Sequence, residues 1–253
     1  MQLSGSALNA LYSFAPGQVI SQNLKLGQIQ LEDAFISKRG DVRAITCGRV
    51  EKHAVFHLEQ PTTSLIIRTH PVSEVSPQLN YFPPNVLVDH SATGLIFNKR
   101  LKYFRMLSKI DPKTFREQVE VFLEESSPTN AFWLLLKLSN LLFTKPHIDL
   151  LSRYSERSAT AEIKNLRDKI IASVCSRYSS QYLIDKIKPS FSNPDDRLAI
   201  SCLAAAYTQE SFSLLAIKMG LPTNREETVS RIRIQVAREY LDQYDFACRV
   251  LSA

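Results

Sequence analysis

Between residues 53 and 59 apolar and polar side chains alternate. Ala54, Phe56 and Leu58 fall on one side of an extended chain and His53, His57 and Glu59 on the other, with Val55 the exception. A period of two matches the pleat, so this run predicts a half-buried antiparallel strand. Strand-like runs at 42–50 and 64–69 flank it, and Pro61-Thr62 separates the last two into a hairpin or small meander. Ahead of them, short helices are expected over 8–14 and 31–37, the second ending near Gly40, with a turn at Pro16-Gly17. Residues 71–84 carry Pro71, Pro77, Pro83 and Pro84 without a helical period and read as a proline-stiffened connection. Val86-Leu87-Val88 adds one more short strand.

From residue 94 the period lengthens to that of a helix. Asp111-Pro112 sets a capping side chain before a proline at the first helical position, and Phe115, Val119, Phe122 and Leu123 then form one face. Ser127-Pro128 repeats the device for a helix through Phe132, Trp133, Leu134, Leu135, Leu136, Leu138, Leu141 and Leu142, apolar on nearly every side and therefore covered all round. After Pro146 comes a shorter helix through Leu150, Leu151 and Tyr154. Ile163, Leu166, Ile170, Ile171, Val174, Cys175 and Tyr178 then make a single stripe. Asn193-Pro194 caps a helix with Leu198, Ala199, Cys202, Leu203 and Ala206. The helix through Phe212, Leu215 and Met219 stops at Gly220 before Pro222, and Thr223 or Asn224 caps the last helix, from 225 towards 251.

Glycine marks the same division. Six of the seven lie at or before Gly94, and only Gly220 lies in the helical part. The elements predict an α+β protein: a small β-containing N-terminal part followed by a mostly antiparallel helical bundle or short irregular α-solenoid. Residues 1–93 are expected as a mixed α/β domain with the proline-rich connection 71–84, and residues 94–253 as an all-helical domain. No repeat of about 34 to 45 residues recurs, which favours irregular helix pairs over a named repeat family.

The chain of 253 residues is 44% hydrophobic and 22% charged, with signs mixed and a net charge of +6, so a packed core is expected and disorder is not. Cys47, Cys175, Cys202 and Cys248 lie far apart with no metal-ligand spacing and read as reduced thiols in an intracellular, cytoplasmic or nuclear, protein. Residues 1–20 lack the character of a secretory signal, and the longest apolar stretch, 131–143, is too short for a bilayer, which takes ~20 residues.

Chemistry-bearing motifs are sparse. The chain has no G-x-S-x-G, P-loop, dinucleotide fingerprint or H-E-x-x-H, so no enzymatic activity, catalytic residue or cofactor is expected. His53, His57 and Glu59 invite a metal, but residues four apart on a strand are separated by ~13 Å, too far for two imidazoles to share one ion; no metal is expected. Asp195-Asp196 at a helix start compensate the helix dipole.

One segment departs from this pattern. From Asn98 to Ile110 the residues Lys99, Arg100, Lys102, Arg105 and Lys109 occur without an acidic neighbour, with Phe97, Tyr103 and Phe104 among them. Lys99, Arg100, Lys102, Tyr103, Arg105 and Lys109 form a candidate polyanion-binding set, for nucleic acid or an anionic membrane surface. Two partial likenesses occur further on. Residues 225–232 resemble the recognition helix of bacterial Crp-type regulators, but the turn before them is longer and no cyclic-nucleotide signature precedes it. The last two helices resemble the winged-helix end of PCI-type scaffold subunits; the wing is missing in both comparisons, and neither assigns a family. The expectation is a non-enzymatic scaffold or adaptor subunit that binds other proteins, the alternative a nucleic-acid-binding structural protein, nucleocapsid-like or RNA-binding, acting through 97–109.

Overall fold

The computed structural model describes residues 1–44, 51–59, 61–67, 79–89, 93–144, 147–206 and 208–239. The expected strand residues 45–50 and 68–69, most of the proline-rich connection (71–78), Cys47, Cys248 and the last helix beyond 239 lie outside them. Strands β1 Gln2–Ser4, β2 Ala7–Ser21, β3 Leu24–Ser37, β4 Glu51–His57, β5 Thr63–Ser64, β6 Leu79–Phe82 and β7 Val86–Asp89 come first. Helices α1 Leu95–Ile110, α2 Pro112–Glu125, α3 Pro128–Lys137, α4 Ser139–Leu142, α5 Asp149–Glu156, α6 Ala161–Tyr182, α7 Pro194–Ala205, α8 Gln209–Met219 and α9 Arg225–Glu239 follow. The fold is mixed α+β, with sheet before helix.

β4, β2, β3, β7 and β6 form a five-stranded sheet in that order, and β1 pairs with β5 separately. β4 keeps the predicted alternation: Ala54, Phe56 and Leu58 pack on the core, while His53, Val55, His57 and Glu59 are exposed. It runs antiparallel to β2, from Ala7 opposite His57 to Ser13 opposite Glu51.

The two helices expected over 8–14 and 31–37 are instead parts of β2 and β3. Leu8, Ala10 and Tyr12 are buried at a period of two. Runs this short fit a helix or a strand, and the ladder decides the matter: β2 is flanked by β4 and β3, and β3 by β2 and β7. The turn expected at Pro16-Gly17 likewise lies within β2. A Cβ on Gly17 would stand 3.0 Å from the Leu26 carbonyl oxygen, so this glycine serves the close approach of β3 and not a reversal. Of the described residues of the strand expected over 64–69, Ser64 pairs, as part of β5 with Thr63, and residues 65–67 lie outside any strand, the Leu65 N–H donating to the Met1 carbonyl at 2.8 Å.

Helix boundaries follow the predicted caps. Asp111 accepts from the Thr114 N–H, Ser127 from Asn130, Asn193 from Asp195 and Asn224 from Glu227. The long apolar helix divides at Leu138 into α3 and α4. α6 runs on into a π-helical turn, Leu183–Ile187, and a 3₁₀ turn, Lys188–Ser190. α8 ends in a left-handed Gly220 at φ 68°, where the Gly220 and Leu221 N–H groups return to the Ile217 and Ala216 carbonyls.

Two compact units share the chain. The first comprises residues 1–15, 29–76 and 179–253, the second 16–28 and 77–178. The first buries Leu8, Ala10, Tyr12, Leu31 and Ala34 of the sheet with Phe191, Ile200, Cys202 and Phe212. Its Tyr12 hydroxyl donates to the Ala205 carbonyl at 2.9 Å, which ties β2 to the end of α7. The second buries Leu24, Leu26, Val86 and Val88 with Phe115, Phe132, Trp133, Leu134 and Leu135.

Gly220 offers a clean test of backbone conformation. No atom lies within 4 Å of where its Cβ would be, so Gly220→Ala adds no clash and costs only the left-handed backbone, ~1–2 kcal/mol. Gly94, equally open but at φ −75°, pays no left-handed penalty, and alanine there should cost only the N-cap preference for glycine, ~0.5–1 kcal/mol. Urea unfolding of the two variants measures the difference.

Candidate interaction surface

α1 begins poorly. Gly94 supplies no capping side chain, the first turn holds no acid, and Lys109 is the basic residue of the last turn. Phe97, Leu101 and Phe104 are buried and hold the helix against α2 and α3. Phe97 lies 6.2 Å from Phe122, and Phe104 lies 5.8 Å from Phe122 and 6.4 Å from Phe115, ring centre to ring centre. At 100° per residue this buried stripe directs the opposite side of α1 to solvent.

All six predicted site residues are exposed: Lys99, Arg100, Lys102, Tyr103, Arg105 and Lys109. They are not equivalent. Arg100 places its guanidinium 5.5 Å from the Phe122 ring centre, and Arg105 Nη2 donates to the Lys137 carbonyl at 3.1 Å, so both are engaged within their own unit. Among the described residues no carboxylate pairs with Lys99, Lys102 or Lys109.

The charge pattern alone missed the apolar residues beside these lysines. Leu95 is 72% exposed, Ile96 73%, Met106 54% and Ile110 71%. Four aliphatic side chains and three unpaired ammonium groups therefore share the outward side of one helix. The signal was available in the spacing, since these positions fall opposite Phe97, Leu101 and Phe104 on a helical wheel.

The neighbouring helix has the opposite charge. Glu117, Glu120, Val121, Glu124 and Glu125 of α2 line an open cleft of about 380 Å³ with Arg157. Glu120 is paired with Arg153 at 3.0 Å and Arg157 at 2.9 Å, and Glu124 with Arg167 at 2.8 Å. Glu117 and Glu125 have no cation partner among the described residues, and Val121 between them is 49% exposed.

Other titratable groups singled out by the sequence have local partners. His53 Nε2 is 2.9 Å from Asn9 Oδ1, and Glu59 accepts from the Ser6 hydroxyl at 2.7 Å. Among the described residues no group of three His, Cys, Asp or Glu side chains is placed to hold a metal ion. Asp196 pairs with Arg231, and Asp195 donates its N–H to the Asn193 cap. His147 is buried with its ring centre 5.0 Å from that of Phe115. Burial pushes the Cys175 thiol to about 11 and the Cys202 thiol to about 12, so neither is a thiolate near neutrality. Among the described residues no helix is long and apolar enough to cross a membrane. Comparison with protein-family models, curated proteins and solved structures finds no match.

Lys188 is a lysine buried among the described residues. Its Nζ donates to the His57 carbonyl, and burial, reinforced by Arg197, lowers its pKa from 10.5 to about 8. Between those two values the unfolded chain holds the proton and the folded protein releases it, so stability increases with pH across the window. Relative to Lys188→Met, the wild type should gain ~1–3 kcal/mol from pH 8 to 10.5, read by urea unfolding at each pH.

Proposed function

We infer that this protein is a non-enzymatic interaction subunit, a scaffold or adaptor, that docks another protein on the outward side of α1. The observation that carries the reading is the exposure of Leu95, Ile96, Met106 and Ile110 beside unpaired Lys99, Lys102 and Lys109. An apolar centre with a charged margin is what a protein interface buries, and exposed aliphatic groups add nothing to a grip on phosphates. Arg100 and Arg105, the planar cations best suited to phosphate, are partly spent on Phe122 and on the Lys137 carbonyl. In this reading the helices of the second unit, from residue 94 to 178, form a bundle-like support, and the protein works in a reducing intracellular compartment, cytoplasmic or nuclear. Nucleic acid held by Lys99, Arg100, Lys102, Tyr103, Arg105 and Lys109 is the second reading, favoured only by the exposed Tyr103 between cations.

Two variants separate these readings. Ile96→Glu with Met106→Glu removes apolar contact, and Lys99→Glu with Lys102→Glu removes charge. A stoichiometric complex rebuilt from purified components should weaken at least ~10-fold with each pair. Salt-dependent binding to single-stranded RNA that responds only to the lysine pair would overturn the protein reading, as would the absence of any stoichiometric complex.

A further inference from the structure

The two outward faces described above have the same pattern with opposite sign. On α1, Lys102, Met106 and Lys109 stand at i, i+4 and i+7; on α2, Glu117, Val121 and Glu125 stand at i, i+4 and i+8, while Glu124 beside them is held by Arg167 at 2.8 Å. In each helix an apolar side chain sits between two like charges ~10–12 Å apart along the axis. The spacing is that of a helix-pairing stripe, and charge opposition across such a stripe selects the partner.

Within one chain these faces cannot meet. α1 packs through Phe97, Leu101 and Phe104, and α2 through Phe115, Val119, Phe122 and Leu123. Lys102, Met106 and Lys109 lie on the other side of α1 from its buried residues, and Glu117, Val121 and Glu125 are exposed on α2. No ion pair joins α1 to α2 among the described residues. Arg157, the cation in the acidic cleft, is already held by Glu120 at 2.9 Å.

Resting on the reading of α1 as a protein-docking surface, we propose that its occupant is a second copy of this chain, whose α2 lies along α1. Lys102 and Lys109 face the unpaired Glu117 and Glu125, and Met106 packs against Val121. The contact removes like-charge crowding on α1, where Lys99, Lys102, Arg105 and Lys109 follow one another at three- and four-residue steps. One helix pair buries less than ~1,200 Å², so the association is weak, in the micromolar range or above, and weakens further with salt.

Charge exchange tests this on the full chain by sedimentation velocity. The wild type should associate in a concentration-dependent manner at low salt. Lys102→Glu/Lys109→Glu makes both faces acidic, Glu117→Lys/Glu125→Lys makes both basic, and each variant alone should associate at least ~10-fold more weakly. An equimolar mixture of the two should associate again, because every acidic face now meets a basic one. That recovery cannot come from misfolded variants. A wild type that stays monomeric up to ~1 mM, or a mixture that fails to recover, overturns the proposal. Neither result touches docking of a different protein on α1, which the complex with Ile96→Glu/Met106→Glu tests separately.

Discussion

The aromatic seam between α1 and α2 decides where the charges of both helices go. Phe97, Leu101 and Phe104 turn one stripe of α1 inward, and their burial is worth ~1.5–3 kcal/mol each. Like-charge neighbours along the same helix cost ~0.2–0.5 kcal/mol apiece, and the missing cap at Gly94 adds a little more. Packing outweighs these penalties, so a helix with unfavourable charge order is held in place by its other side. Its lysines are then free to face outward. The same seam fixes α2 through Phe115 and Phe122, and with it the direction of Glu117 and Glu125.

What was legible in the sequence follows from how local the cause is. Caps at Asp111, Ser127 and Asn193 and the stop at Gly220 are decided within four residues, and each is found where the residue types put it. The strand over 51–57 was readable because its alternation is long enough to exclude a helix. Residues 8–14 and 31–37 were not, since Leu8, Ala10 and Tyr12 become a strand face only when β4 pairs beside them. The dipeptide Pro16-Gly17 misled for a related reason. A glycine needed for a close strand approach and one needed for a turn look alike until the neighbour, here Leu26, is known.

The candidate surface was legible by halves. Five cations without an acid are a one-dimensional signal, and all six predicted residues do reach solvent. Which of them are already occupied is a three-dimensional fact. Arg100 and Arg105 find Phe122 and the Lys137 carbonyl on other helices, and only the folded seam reveals that. The exposed aliphatic side chains were hidden for the same reason: Leu95, Ile96 and Met106 resemble core residues until Phe97, Leu101 and Phe104 are seen to have filled that role.

The way the chain threads its two units bears on the order in which they close. It passes between them after residues 15, 28, 76 and 178, and the second unit is complete once residue 178 has been made. The first is not. Leu8, Ala10 and Tyr12 near the start of the chain pack against Phe191, Cys202 and Phe212, and the Tyr12 hydroxyl has its acceptor at Ala205, 193 residues later. During synthesis β2 therefore waits with its apolar face uncovered until α7 and α8 emerge, while the unit that carries α1 and α2 can already be folded. β2 is made long before the helices that bury it, and its shelter in the interval is a demand this topology places on the cell.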